Sequence, residues 1–313
     1  MNKIKVSVIV LIYNPNLNRL KYTLNSIALQ KDIGYEVIIS DDGSEKIDIK
    51  EIEKITNEIL KSVPIKYRWA EKNLGTVYNY YEAVKMAEGE YVYGISPGDY
   101  IYDCTVIRDM YNFAVDNKAI VCFGNVQKYE VEGNDIKLLK NRMPMTPIIY
   151  SPLKYNKTFI KVAFFNGQYV IGAAYFRKRE EFEYKLSQIV GKVKYLEDMA
   201  TSYLYLLEGT KILYNDRVIV WYESNDGISN NKDHPLYKEF TSDEKSVKTM
   251  IINLYGSEPI VDFKWKSHRI LRFINHPIIG MCAIINKVFK MLGKEMKINN
   301  NIIEEYYKII NYI

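Results

Sequence analysis

The sequence has few of the residues that build disulfide frameworks and cysteine metal sites. Its 313 residues include three cysteines, Cys104, Cys122 and Cys282, and no two of them form a C-x-x-C pair. The three histidines form no H-E-x-x-H motif. The sequence therefore excludes a disulfide scaffold and a zincin-type metalloprotease, and it favours a reducing compartment, the cytoplasm.

Long hydrophobic runs and phosphate-binding glycine motifs are also missing. No unbroken apolar stretch approaches the roughly 18 residues of a membrane-spanning helix. No two glycines are separated by one residue, which removes the G-x-G-x-x-G fingerprint of dinucleotide-binding folds, and no P-loop ends in Gly-Lys-Ser or Gly-Lys-Thr. The apolar run at 6–13 lacks an A-x-A cleavage site and ends in an Asn14-Pro15 turn, so it predicts a buried strand rather than a signal peptide.

The composition that remains is that of a globular protein, with 48% apolar and 26% charged residues. The net charge of +5 is concentrated in one segment, because eight Lys or Arg residues between Asp262 and Lys297 stand against two acidic residues, a local balance of +6. The rest of the chain is close to neutral, and no nucleic-acid partner is indicated. The length predicts two domains, or one large α/β domain with an appendage.

Strands and helices alternate through the first hundred residues. Apolar runs predict strands at 6–12, 35–39, 65–70 and 91–95, and amphipathic spacing predicts helices at 17–28, 49–60 and 76–87. This β-α-β series predicts an α/β fold with a mostly parallel central sheet flanked by helices. Since ligands bind beyond the carboxyl ends of parallel strands, the residues that follow these strands are expected to share one edge.

The pattern after residue 103 is more mixed. Strands are predicted at 119–126 and 168–176, with an irregular, proline-rich loop at 143–152 between them. A helix is predicted at 197–207, which places Asp198 in its first turn.

Four carboxylates carry the candidate chemistry, and each has a structural alternative. Asp41 and Asp42, in Asp-Asp-Gly-Ser after a strand, can accept hydrogen bonds from a nucleotide base or ribose, or can form an ordinary turn. Asp99 can bind Mg²⁺ or Mn²⁺ beside a diphosphate, or can be a solvated turn residue. Asp198 can act as a general base on a sugar hydroxyl, or can cap its helix.

The order of these motifs resembles glycosyltransferase family 2. The resemblance covers about residues 4 to 225 and rests on VSVIV before Tyr13-Asn14, EVIISDDGS at 36–44, NLGT at 73–76, AEGEY at 87–91, Gly98-Asp99 and Glu197-Asp198. The segment Trp221 to Ser229 (WYESNDGIS) also resembles the Tyr-rich strand and loop that closes the domain in many members. The family implies the GT-A fold and an inverting transfer of a sugar from a nucleotide-diphosphate sugar to an acceptor hydroxyl.

The resemblance implies a role for each matched position. Tyr13, Asp41 and Asp42 would hold the nucleotide, Asn73, Gly75 and Asn79 would border the donor, Asp99 would bind Mn²⁺ or Mg²⁺, and Asp198 would be the catalytic base. A UDP or dTDP donor is expected, with a glycan or lipid-linked glycan as acceptor in bacterial surface polysaccharide or glycoconjugate synthesis. The expected domains are a GT-A catalytic domain at 1–229, with a nucleotide-sugar half at 1–100 and an acceptor half at 101–229, and a helical extension at 230–313.

The sequence departs from the family at the metal motif. Where the family usually has D-x-D-D, this chain has Ser96-Pro97-Gly98-Asp99, so one carboxylate remains. Tyr80-Tyr81 also replace an Arg-Asn pair found in many members. A non-catalytic nucleotide-sugar-binding or scaffold protein with a degenerate metal site therefore stays open. A nucleotidyltransferase is a third alternative, against which the loop at 12–16 counts because it is neither Gly-rich nor basic.

The C-terminal segment suggests a surface role. Eleven of the fifteen residues at 278–292 are apolar or Cys, inside the basic segment at 262–297. This composition predicts a helix at an anionic membrane surface, with peripheral attachment to the inner face of the plasma membrane. The alternatives are a helix packed on the catalytic domain or at a subunit interface, and the sequence is compatible with a homo-oligomer.

Overall fold

The computed structural model describes residues 3–132, 135–224, 233, 235–268, 271–293, 295 and 302–311. Its strands are β1 (Val6–Ile12), β2 (Tyr35–Asp41), β3 (Ile65–Trp69), β4 (Tyr91–Ile95), β5 (Tyr100–Ile101), β6 (Val121–Glu132), β7 (Asp135–Leu139), β8 (Tyr175–Lys178) and β9 (Ile212–Glu223). Its helices are α1 (Leu17–Ala28), α2 (Ile49–Leu60), α3 (Thr76–Met86), α4 (Val106–Asp116), α5 (Lys157–Phe165), α6 (Arg179–Ile189), α7 (Glu197–Leu207), α8 (Tyr237–Tyr255), α9 (Pro259–Val261), α10 (Leu271–Asn275), α11 (Pro277–Leu292) and α12 (Ile302–Ile310).

The strands form one mixed sheet in the order β3-β2-β1-β4-β8-β6-β9-β5, with β7 paired to β6. The first four strands are parallel to one another. β8 joins β4 to β6 by antiparallel pairing, β6 runs parallel to β9, and β5 is antiparallel to β9 at the edge. The predicted α/β class, with a parallel central sheet, flanking helices and helices at the C-terminus, is confirmed.

The continuous apolar runs produce these buried strands because helices cover both faces of the sheet. Val8, Ile9 and Val10 of β1 are fully buried. The loop before α1 ends in Asn16, whose side chain accepts the N–H groups of Asn18 and Arg19 at 3.0 and 3.2 Å and so caps the helix.

Two predicted elements need correction. The second strand extends to Asp41, so this residue belongs to β2 rather than to the following turn. The strand predicted at 168–176 is wrong for its first seven residues, because Gly172–Ala174 form a 3₁₀ turn and β8 begins at Tyr175. The side-chain oxygen of Gln168 accepts the N–H of Thr146 at 3.1 Å. This hydrogen bond fixes the segment, which has no β-sheet pairing of its own before Tyr175.

The C-terminal helices pack back on the α/β core. α8 contacts α7, α11 contacts α5, and α12 contacts α1. None of the helices in the described ranges combines the length and hydropathy needed to cross a bilayer. The predicted boundary at 229/230 and the 225–229 part of the WYESNDGIS motif lie outside the described residues.

Candidate functional site

A cavity of about 800 Å³ opens at the carboxyl edge of the parallel strands, a volume typical of small-molecule sites. Five of the predicted site residues border this cavity: Tyr13, Asp42, Asn79, Asp99 and Asp198. The other three, Asp41, Asn73 and Gly75, are not among the described residues that line it. The strand ends thus bring together groups that are far apart in the sequence.

Asp41 and Asp42 make different contacts. The two oxygens of Asp42 accept the N–H groups of Leu74 and Gly75 at 3.0 and 2.9 Å, and burial raises the pKa of this carboxyl against the opposing effect of those hydrogen bonds. Asp41 accepts hydrogen bonds from the N–H and hydroxyl of Ser44 at 2.8 and 2.5 Å. Asp42 therefore faces the cavity and fixes the adjacent loop, while Asp41, at the end of β2, uses its side chain to hold Ser44 of the following turn.

Gly75 brings the loop bound by Asp42 against the segment before α7. Its φ is +93°, and a Cβ atom at this position would lie 2.6 Å from the carbonyl oxygen of Lys194. The same carbonyl accepts the N–H of Val77 at 3.0 Å. Asn73, two residues earlier, is half-buried. Only a residue without a side chain allows this close approach.

Asn79 is buried and its amide is bound to β2. It donates to the carbonyl of Ser40 at 3.0 Å and accepts from the Ser40 hydroxyl at 2.5 Å and from Arg68 at 2.8 Å. These contacts hold α3 against the sheet, so its amide supports the cavity wall.

Asp99 faces a second carboxylate that sequence reasoning missed. It accepts the backbone N–H of Glu223, and burial followed by the charge of Glu223 raises the pKa of Asp99 to about 8. Glu223 is 6% exposed and forms an ion pair with Arg19 at 2.8 Å. Gly98, with φ +105°, would place a Cβ atom 3.6 Å from Glu223 Oε2. β9 therefore supplies a carboxylate beside the position at which the metal motif lacks one.

Asp99 and Glu223 together fit a divalent cation. Both are hard oxygen donors, and a cation would relieve the repulsion between half-buried Asp99 and buried Glu223. Among the described residues no three His, Cys, Asp or Glu side chains form a metal cluster, so diphosphate oxygens and waters would supply the other ligands. Arg19 is the competing positive charge, because it already contacts Glu223.

Asp198 lies in the first turn of α7 and borders the cavity. Its Oδ1 accepts the N–H of Met199 at 2.7 Å, and the N–H of Gly172 also donates to this carboxylate. Burial raises the pKa of Asp198, whereas these N–H groups and Arg177 act in the opposite direction. The N-cap of α7 is Leu196, and no side chain caps the helix there. Asp198 faces the cavity from the first turn, a position compatible with the predicted general base.

A buried ion pair, Arg177 with Glu197, lies next to Asp198. The guanidinium of Arg177 lies 4.3 Å from the ring centroids of both Tyr175 and Phe182, and its Nη2 is 3.3 Å from Glu197 Oε2. Burial raises the pKa of Glu197 to about 7, although Arg177 opposes the rise. No motif marks Arg177, which looks like any charged residue at the end of a short strand.

Asp243 of α8 binds the segment that leads into α7. Its carboxylate is 6% exposed and accepts the N–H groups of Lys194, Tyr195 and Leu196 at 2.7–3.1 Å. These three N–H groups stand just before α7, and a carboxylate from a later helix accepts hydrogen bonds from all of them. The position of Asp198 therefore depends on α8.

Lys128 is a second cation on the cavity wall. Its Nζ lies 3.7 Å from the sulfur of Met143 and 5.9 Å from the ring centroid of Tyr222, and burial lowers its pKa. No carboxylate of the described chain forms an ion pair with Lys128. Its charge is available to an anionic group of a substrate.

Known proteins are similar to this chain in sequence and in fold. A model of the family described as Glycosyl transferase family 2 matches residues 7–183. A Haemophilus influenzae protein named "Uncharacterized glycosyltransferase" is 30% identical over 139 residues, which are 44% of this chain and 54% of that protein, so the match spans about half of the relative.

Solved structures of TarS from S. aureus have the same fold. The structure of its residues 1–349 with UDP-GlcNAc superposes with a TM-score of 0.56 at 19% identity, covering 90% of this chain and 79% of that one. The UDP complex gives a TM-score of 0.52 at 19% identity, with 93% and 90% covered. With a family match over more than half of its length and a GT-A-like fold, the chain belongs to glycosyltransferase family 2.

Proposed function

We propose that this protein is a metal-assisted, inverting glycosyltransferase that moves a sugar from a UDP- or dTDP-linked donor to an acceptor hydroxyl. The observation that carries the proposal is one cavity in which Asp42, the Asp99–Glu223 pair and Asp198 meet. Asp42 suits a nucleoside, the Asp99–Glu223 pair suits a diphosphate with its cation, and Asp198 suits a general base. The TarS complexes with UDP-GlcNAc and UDP support a uridine nucleotide as the donor.

The base in this proposal is ionised Asp198. As the acceptor oxygen attacks the anomeric carbon, Asp198 takes the hydroxyl proton and the bond from that carbon to the nucleoside diphosphate breaks. One displacement from the face opposite the leaving group inverts the configuration, through a centre with oxocarbenium character. The N–H groups of Met199 and Gly172 keep Asp198 aimed at the cavity and favour its charged form.

A positive charge is needed beside the leaving diphosphate, because negative charge builds up on its oxygens as the bond to the sugar breaks. Asp99 and Glu223 would hold Mg²⁺ or Mn²⁺, which when bound neutralises charge on the departing phosphate oxygens. Arg19 and Lys128 border the same cavity and can donate hydrogen bonds to anionic oxygens. The acceptor in this proposal is a glycan or lipid-linked glycan of a bacterial surface polysaccharide or glycoconjugate.

A nucleotide screen with and without Mn²⁺ tests the donor and the metal together. We expect UDP or dTDP to raise the melting temperature more than GDP or CMP, and more in Mn²⁺ than in EDTA. At 100-fold excess over Kd the ligand stabilises the native state by about 2.7 kcal/mol. Asp99→Asn should remove the Mn²⁺-dependent part of the shift, because it removes a charged metal ligand, while Asp116→Asn, an exposed helix residue, should keep it.

Two outcomes would contradict the proposal. Binding of UDP that is equal in Mn²⁺ and EDTA, with no turnover of a UDP-sugar, would favour the non-catalytic nucleotide-binding protein. Turnover that persists in EDTA would show that Arg19 and Lys128, instead of a metal cation, neutralise the negative charge of the leaving diphosphate.

Glu197→Gln tests the electrostatics of the proposed base. In the wild type the charge of Arg177 is shared between Glu197 and Asp198. With a neutral residue at 197 that charge acts on Asp198 alone, so the pKa of Asp198 falls. Because the base works when ionised, the acid limb of the kcat–pH profile should move to lower pH. Arg177→Met should move it to higher pH, and an unmoved limb in both variants would exclude this coupling.

A further inference from the structure

Helix α11 presents apolar side chains to solvent along its whole length. We call the set Ile278, Met281, Ile284, Ile285, Val288 and Leu292 the outer apolar face, and its members are 44–80% exposed. Their spacing of three and four residues places them on one side of the helix. Leu271 and Ile274 of the preceding α10 are also exposed, at 53 and 69%. Contiguous apolar patches of this kind mark contact surfaces.

The opposite side of α11 is fixed to the protein by specific contacts. Asn286 is buried and its side-chain oxygen accepts a hydrogen bond from Gln168 at 3.3 Å. Lys290 donates to the carbonyl of Asn166 at 3.0 Å, and the backbone carbonyl of Phe289 accepts from Thr146 at 3.0 Å. The helix cannot rotate to bury the outer apolar face without breaking these bonds.

The charge around this face indicates an anionic partner. The segment 262–297 carries a balance of +6, and exposed Lys266 and Lys287 belong to it. With 16 residues α11 is about 24 Å long, which suits a helix lying in the interface of a bilayer rather than across it. Apolar side chains on one side of a helix within a basic segment match the chemistry of an anionic lipid surface.

The inner side of α11 packs on segments that continue into the cavity wall. Thr146 and Gln168, which contact α11, stand within three residues of Met143 and Tyr169, which line the cavity. A membrane on the outer apolar face would therefore lie on the side of the protein that carries Met143 and Tyr169 of this wall.

We propose that the outer apolar face docks on an anionic membrane and holds the cavity next to an acceptor carried by that membrane. The membrane contact is inferred from the exposed surface of α11 alone, whereas the identity of the acceptor rests on the proposed function. Exposed apolar side chains would enter the acyl boundary, and exposed Lys266 and Lys287 would contact lipid headgroups.

Flotation of the full chain with vesicles tests the docking. The wild type should float with vesicles of phosphatidylcholine and phosphatidylglycerol, bind at least about tenfold less to phosphatidylcholine alone, and lose binding at high salt. Met281→Gln with Ile285→Gln should abolish flotation. The matched control, Val115→Gln with Leu153→Gln, replaces two exposed apolar residues elsewhere and should bind like the wild type.

Sedimentation and melting separate the other outcomes. No flotation of the wild type with anionic vesicles would overturn the proposal. A wild-type dimer that becomes a monomer in the Met281→Gln, Ile285→Gln variant, without vesicle binding, would assign the face to a second copy of the chain. The UDP-induced melting shift should be unchanged in this variant, so failure of the docking is distinct from failure of the proposed transfer.

Discussion

Replacing Asp198 by asparagine is expected to lower kcat by about 10²- to 10⁴-fold, the contribution of a general base. The amide has the size of the carboxylate and keeps one acceptor oxygen for the N–H of Met199, so the start of α7 should keep its structure. It cannot take the proton of the attacking hydroxyl. The measurement is the rate of nucleoside diphosphate release in the presence of acceptor.

Nucleotide binding supplies the control for Asp198→Asn. The UDP-induced melting shift should equal that of the wild type, because Asp42 and Asp99 are untouched. Asp116→Asn, on the exposed surface of α4, should keep the wild-type rate. A rate near the wild type in Asp198→Asn would show that another group accepts the proton.

Asp243→Ala is expected to destabilise the fold by about 3 kcal/mol, since several N–H groups lose a charged acceptor in a buried place. We also expect kcat to fall about 10- to 100-fold, because the segment at 194–196 positions Asp198 and small displacements of a catalytic group are costly. Urea denaturation gives the stability, and initial rates at a temperature where the variant is folded give the activity.

Two companion variants make the Asp243 result specific. Asp243→Asn keeps an acceptor oxygen and should recover part of both losses. Glu244→Ala removes an exposed carboxylate from the same helix and should change neither. Wild-type melting and wild-type kcat in Asp243→Ala would show that α8 does not position the base.

The sequence predicted the parallel half of the sheet because its strands are continuous apolar runs and its helices are strongly periodic. β1 and β4 match their predicted ranges, and α3 ends within a residue of its predicted end. Prediction failed at 168–174, where a run of apolar and small residues looks like a strand. There the side chain of Gln168 and the N–H of Gly172 bind groups from distant segments, which a local pattern does not show.

The same limit applies to the candidate site. Tyr13, Asp42 and Asp99 follow strands, so topology alone places them at one edge. Glu223 and Arg177 become significant only through contacts made in the folded chain, with Asp99 and Glu197 respectively. The resemblance of the WYESNDGIS segment to the family pointed to the region of Glu223, although it did not indicate that Glu223 lies beside Asp99.

The pairing of β5 with β9 has a consequence for how the site is assembled. Tyr100 and Ile101 pair with Trp221 and Val220, so the turn that carries Asp99 is anchored by the last strand of the sheet in sequence order. A ribosome-bound chain that ends before β9 would contain Asp99 without the strand that positions it. Such non-local pairing is slow because a long loop must close first. We therefore expect the end of the cavity at Asp99 to be completed late in folding, after the end at Asp42 has formed.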